Sequence, residues 1–330
     1  MPLAFSSPPL TITQAHQLAG FFAVSYVGSL YLFKNARLSF TSQQQPTEDG
    51  KQRERSQGER WRDDPAVIRA RLVVVSVSSA LSCLALFVVI WNITGGLPET
   101  LPDSIDSTIA RLGFIIPSPL QEAILPCLIA PVLFFAPLYV QFLDCAFPLQ
   151  VAWSLKYSVA PYVCTWTGWR NVIMGPITEE VVFRGCIVAA YKLAGVSEMK
   201  MVFLTPLWFG LAHIHHAWET YNRYGRTAAA LKRAVFGAVF QTIYTTLFGF
   251  HCAWLFVRTG SLLAPLTSHV FCNIMGLPMP SEKTRRHPNR KITILIFYVL
   301  GIVGYILTVK KWTEVKDNLY WRSEGSVARY

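Results

Sequence analysis

Eight apolar stretches run through this chain, each near the roughly 20 residues a helix needs to cross the hydrocarbon core of a bilayer. They lie near residues 15–33, 66–91, 119–143, 176–195, 199–217, 232–257, 260–278 and 292–310. A backbone in lipid must satisfy its own N–H and C=O groups, so runs of this length read as helices. Only 15% of the 330 residues are charged, against about 25% in an ordinary soluble domain. No hydrophilic stretch is long enough to fold alone. The expectation is an all-α, polytopic integral membrane helical bundle of about eight transmembrane helices, forming one membrane-embedded domain over residues 1–330.

Charge and aromatic residues orient the bundle. The net charge of +11 suits the positive-inside rule in so apolar a chain, and no nucleic-acid partner is implied. Residues 41–64 are rich in Gln, Arg and Glu without apolar periodicity, which predicts a disordered loop. Its arginines, the basic run Lys283–Lys291 and the group Arg223, Arg226, Lys232 and Arg233 mark three cytosolic loops, all on one side of an eight-span bundle. Both termini then fall on the lumenal side, although the tail over 311–330 is itself basic. The first apolar run lacks a basic region ahead of it and reads as a retained span, not a cleaved signal. A Trp-rich stretch at 150–172 (Trp153, Trp166, Trp169) reads as an interfacial helix. The Asn92-Ile93-Thr94 sequon lies so close to its span that it reads as silent. The seven cysteines have no paired spacing and read as small buried residues.

Within this apolar background, Thr178-Glu179-Glu180-Val181-Val182-Phe183-Arg184 puts three ionisable side chains into seven residues. Each costs about 2.5–3.5 kcal/mol at membrane depth, and such groups face a partner or a cavity. Pro176 suits a helix start, which places Glu179 and Glu180 in the first turn. Adjacent helical residues point apart, whereas Glu180 and Arg184, four apart, share a face. The spacing predicts that Arg184 holds Glu180 and leaves Glu179 for chemistry. Phe209 and His213 are four apart at the end of the next apolar run, and His269 and Asn273 are four apart in a third. A carboxylate and a histidine can share a water, one taking its proton. A second histidine with an amide can donate to a developing oxyanion. No serine or cysteine sits in a nucleophile motif, so activated water is the implied nucleophile.

Other readings compete. Glu179, His213 and His269 make a two-His, one-carboxylate set, but without an H-E-x-x-H pair, so a metal is disfavoured. A proton relay or transporter would also bury Glu and His, yet no internal repeat is visible. A non-catalytic binder in the membrane is the remaining alternative.

Glu179-Glu180-x-x-x-Arg184, Phe209-x-x-x-His213 and His269-x-x-x-Asn273, in that order, resemble the motifs of the type II CAAX prenyl endopeptidase family, within the broader ABI group of membrane proteases. The likeness extends to Ser25-Tyr26-Val27-Gly28-Ser29-Leu30-Tyr31, to Arg62–Ile68 and to the run from Phe256 to Pro278, covering most of residues 25–280. It implies an eight-helix, multi-pass protein of the endoplasmic reticulum membrane with its active site toward the cytosol. Such a protein removes the last three residues of farnesylated or geranylgeranylated CaaX proteins such as Ras-type GTPases, and needs no cofactor. By position, Glu179 and His213 would activate water, and His269 and Asn273 would form the oxyanion hole. Glu180, Arg184 and Phe209 take the supporting motif positions. A prenyl chain partitions into lipid at roughly 0.8 kcal/mol per CH₂, so substrate would arrive from the bilayer plane.

Overall fold

The computed structural model describes residues 3, 5–43, 51–316 and 318–321, and their regular structure is helical, as expected. Among the described residues the one extended pairing is an isolated antiparallel bridge between Ser39 and Arg60. The described residues divide into two compact units, one drawn from 1–112 and 181–254, the other from 113–180 and 255–321.

In the first unit, Thr11 caps the helix Ile12–Leu32 through a reciprocal pair with Gln14, satisfying two orphan donors. Ala15, Ala19, Phe22, Tyr26 and Leu30 recur every three or four residues and form its buried stripe. That stripe packs on the helices Pro65–Ile93 and Ile187–Leu193. The Tyr191 hydroxyl ties three helices together, pairing with His16 Nδ1 at 2.8 Å and accepting from Trp208 Nε1 at 2.9 Å. Pro65 opens its helix where no N–H is needed. Farther along that helix, Val73, Val77, Leu81, Leu84 and Val88 form an exposed apolar stripe. Such a face is stable where the solvent is lipid.

In the second unit, the apolar run at 119–143 is one broken rod. Leu120–Leu133 and Phe135–Leu143 meet at 69°, with Pro126, Pro131 and Pro137 removing donors along it. The long helix Lys291–Trp312 packs along this rod, and the Phe297 ring stacks on Phe135 and Tyr139 at 4.6 and 4.2 Å. The close approach requires a glycine, because a methyl group at Gly301 would lie 2.8 Å from the Leu133 carbonyl.

Among the described residues, two helices, Pro65–Ile93 and Pro288–Trp312, are long and apolar enough to cross a membrane, and the bent pair makes a third candidate. The expectation of eight such helices is therefore met only in part. The run at 199–217 yields a 14-residue helix, Glu198–Leu211, and that at 260–278 a 13-residue helix, Leu263–Met275. At 1.5 Å per residue these are about 20 Å long, short of a hydrocarbon core of about 30 Å. The stretch at 150–172 is not one interfacial helix but a series of short turns, Leu155–Val159, Ala160–Val163, Trp166–Gly168 and Trp169–Met174.

The loop expected to be disordered has residues 44–50 outside the described residues, but its remainder is held in place. Arg53 is buried, bonds the Asn222 carbonyl through Nε at 2.9 Å and pairs with Glu59 at 2.5 Å. Buried hydrogen bonds substitute here for the apolar contacts that the sequence lacks. The tail behaves similarly as far as Trp321. Asn318 Nδ2 donates to the Val257 carbonyl at 2.9 Å, Tyr320 packs on Phe256, and the Arg258 guanidinium lies over Trp321 at 4.6 Å.

Candidate active site

The motif helix is not uniformly α-helical. Gly175–Glu180 is α, Val181–Cys186 is a π-helical turn, and Ile187–Leu193 is α again. Another π-helical segment, Trp169–Met174, leads into it. There the Gly175 N–H bonds the Arg170 carbonyl, and a side chain at Gly175 would overlap that oxygen. Widened turns of this kind occur often at functional sites. The turn Val181–Cys186 begins between Glu180 and Arg184, whose four-residue spacing was read on an α-helix.

The structure gathers the seven sequence-derived residues into two groups, one in each unit. In the second unit, His269 Nδ1 and Glu180 Oε1 lie 2.6 Å apart, with the ring N–H donating to the carboxylate. Both side chains are buried, at 6% and 1% exposure. The other ring nitrogen, Nε2, lies 3.7 Å from Glu179 Oε2, whose side chain is 24% exposed. His269 thus stands between two carboxylates, one sealed and one open. This bond fixes the ring orientation and turns Nε2 toward Glu179, as a partner on one histidine nitrogen does for the other. Asn273, one turn along the same helix, donates Nδ2–H to the Asn171 carbonyl at 2.7 Å. One of its two amide hydrogens is therefore committed to holding the side chain.

In the first unit, the Arg184 guanidinium lies 4.4 Å from the centre of the Phe209 ring. Phe209 meets Phe183 edge to face at 5.1 Å and His213 at 4.7 Å. The His213 Nδ1–H donates to the Phe209 carbonyl at 2.7 Å, so in the neutral ring the lone pair is on Nε2. Phe209 therefore seats both polar members of its group, one on its ring and one on its carbonyl. Among the described residues, no group of three or more His, Cys, Asp or Glu side chains is arranged to hold a metal ion.

Residues 161–275 match the model of the "Type II CAAX prenyl endopeptidase Rce1-like" family. The human "CAAX prenyl protease 2" is 35% identical over 301 residues, covering 89% of this chain and 79% of that protein. The "Probable CAAX prenyl protease 2" of Schizosaccharomyces pombe is 32% identical over 302 residues, covering 91% and 93%. This chain belongs to the CAAX prenyl protease 2 family. The Arabidopsis thaliana member is 40% identical over a shorter span of 146 residues, 44% of each chain. No solved structure matches the chain. The segment that matches the family model, 161–275, contains Glu179, Glu180, Arg184, Phe209, His213, His269 and Asn273. It also contains Arg170 and Asn171, which motif reading passed over. Asn171 holds Asn273 through a backbone carbonyl, and a carbonyl leaves no mark in a sequence.

Proposed function

We propose that this chain is a membrane-embedded endopeptidase that removes the aaX tripeptide from prenylated CaaX proteins, using water activated by side chains of the shared motifs. The observation that carries the reading is the His269 imidazole held between buried Glu180 and accessible Glu179. Glu179 is accessible enough to meet a water, and a carboxylate there can orient that water or take its proton. As the water oxygen attacks the scissile carbonyl, the proton leaves it and negative charge gathers on the carbonyl oxygen. His269 Nε2–H and the uncommitted Asn273 amide hydrogen are donors suited to that charge. Glu180 supports the positive charge of an imidazole that carries both protons. Collapse of the tetrahedral species breaks the C–N bond, and the proton returns to the departing amine. His213 keeps the water-activating role given by its motif position, and its Nε2 lone pair suits a proton acceptor.

The wider setting belongs to the same proposal. Apolar faces left open to lipid support a membrane protein, and the eight-span, endoplasmic reticulum reading places the site toward the cytosol. There it meets the tails of Ras-type GTPases without metal or cofactor. The test is aaX release from a farnesylated CaaX peptide by purified wild type and Glu179→Ala. A loss of about 10³-fold or more, with melting temperature and peptide binding retained, is expected. Release that survives the substitution removes Glu179 from the chemistry. Wild type that binds the peptide without cutting it turns the reading to a binder of lipidated tails.

A further inference from the structure

A substrate that ends in a free tripeptide brings its own negative charge. In the second unit it meets accessible Glu179, one of the two carboxylates in contact with His269. Like charges disfavour this approach by Coulomb repulsion, strongly where water is scarce. A cation near the departing end would offset it. Of the second unit's cationic side chains, two precede the motif in sequence, Lys156 and Arg170. Lys156 lies over the ring of its neighbour Tyr157 at 5.4 Å. Arg170 is tied into the motif itself: its Nε–H donates to Asn171 Oδ1 at 2.9 Å, and the Asn171 carbonyl accepts from Asn273 at 2.7 Å.

From these contacts we infer that Arg170 binds the C-terminal carboxylate of the substrate, and that Asn171 is the joint that sets it relative to Asn273. The inference rests on the endopeptidase reading above and deepens it. Three extended residues span about 10 Å from the scissile carbonyl to the terminal carboxylate. Arginine's side chain, rooted next to the residue that holds Asn273, is within that reach of the carbonyl donors. A guanidinium is planar and presents donors in a fork that matches a carboxylate, as a lysine ammonium does not. The bond from Nε to Asn171 fixes the plane of that fork. The π-helical segment Trp169–Met174 makes the arrangement local, with the Arg170 carbonyl closing on Gly175 and its side chain reaching Asn171.

The test uses the full-length protein in detergent or nanodiscs and two farnesylated peptides of one sequence, one ending in a carboxylate and one in a carboxamide. Wild type is expected to prefer the carboxylate peptide by about tenfold in kcat/KM, the worth of one charge-assisted hydrogen bond. Arg170→Gln is expected to raise KM about tenfold for the carboxylate peptide alone, with kcat little changed, so that the two peptides become equal. Arg170→Lys, which keeps the charge and loses the fork, is expected to fall between them, and decides the matter should Arg170→Gln fail to fold. A preference for the carboxylate that persists in both variants overturns the assignment, as does an equal loss on both peptides, which marks a structural role. If wild type cuts neither peptide, the endopeptidase reading itself fails, an outcome separate from any effect at Arg170.

Discussion

Two buried carboxylates in this molecule are held in opposite ways. Glu59 accepts from Arg53 Nη2 at 2.5 Å, the Thr41 N–H at 2.6 Å, Trp61 Nε1 at 3.0 Å and the Ser56 N–H at 3.1 Å. Burial alone would raise its pKa, but these four donors, Arg53 foremost, hold it at about 2. Glu180 is sealed just as deeply and is paired with an imidazole whose other nitrogen faces an accessible carboxylate. A carboxylate whose lone pairs are taken up by fixed donors is a fastener. One that holds a histidine with a second task transmits its charge to that task. Local chemistry separates them where burial does not.

The comparison breaks first at Glu180. Glu180→Gln keeps an oxygen that can accept from His269 Nδ1 but removes the negative charge. Tripeptide release is expected to fall about 100-fold, mainly in kcat, with the melting temperature shifted by a few degrees at most. Activity within about twofold of wild type would make Glu180 as inert toward chemistry as Glu59.

At Glu59 the opposite pattern is expected. Arg53 and Glu59 are 2% and 4% exposed, so Glu59→Gln strands a buried guanidinium and should cost about 3 kcal/mol of stability. Activity per folded molecule should stay unchanged. The pH dependence has a definite sign. The folded carboxyl sits at about 2 against an ordinary 4.5, so its ionised form contributes fully above about pH 4.5. That contribution is lost as pH falls toward 2. The gap in melting temperature between wild type and Glu59→Gln should hold steady down to about pH 5 and narrow below it. A gap that widens in acid contradicts the assignment.

The sequence made one of these carboxylates conspicuous and hid the other. Glu180 stood out because charge in an apolar run is costly, and His269 and Asn273 for the same reason. Their helical setting was legible because apolar periodicity is local. The contact between Glu180 and His269 was not, because it joins residues 89 apart in sequence and needs the fold of the second unit. Spacing also assumed a regular α-helix, whereas the turn Val181–Cys186 is π-helical. Residues 51–64 read as disordered for lack of apolar residues, while their order comes from hydrogen bonds such as that from Arg53 to the Asn222 carbonyl. Polar anchoring over 169 residues has no periodic signature.

The smallest expected effect sharpens what saturation means. Trp61→Phe removes one of the four donors to Glu59 and keeps an aromatic ring beneath Arg53 and Arg223, which lie 5.6 and 4.9 Å from the Trp61 ring. A fastener with three donors left should lose only about 1 kcal/mol in urea or thermal unfolding, the worth of one hydrogen bond. Each lost donor also lets the Glu59 pKa rise, so acid destabilisation should begin at a higher pH than in wild type while tripeptide release stays constant. A loss as large as that of Glu59→Gln would mean that the indole, and not the Arg53 pair, organises this loop. Because the ring survives in Trp61→Phe, that outcome would trace the anchoring to a single N–H.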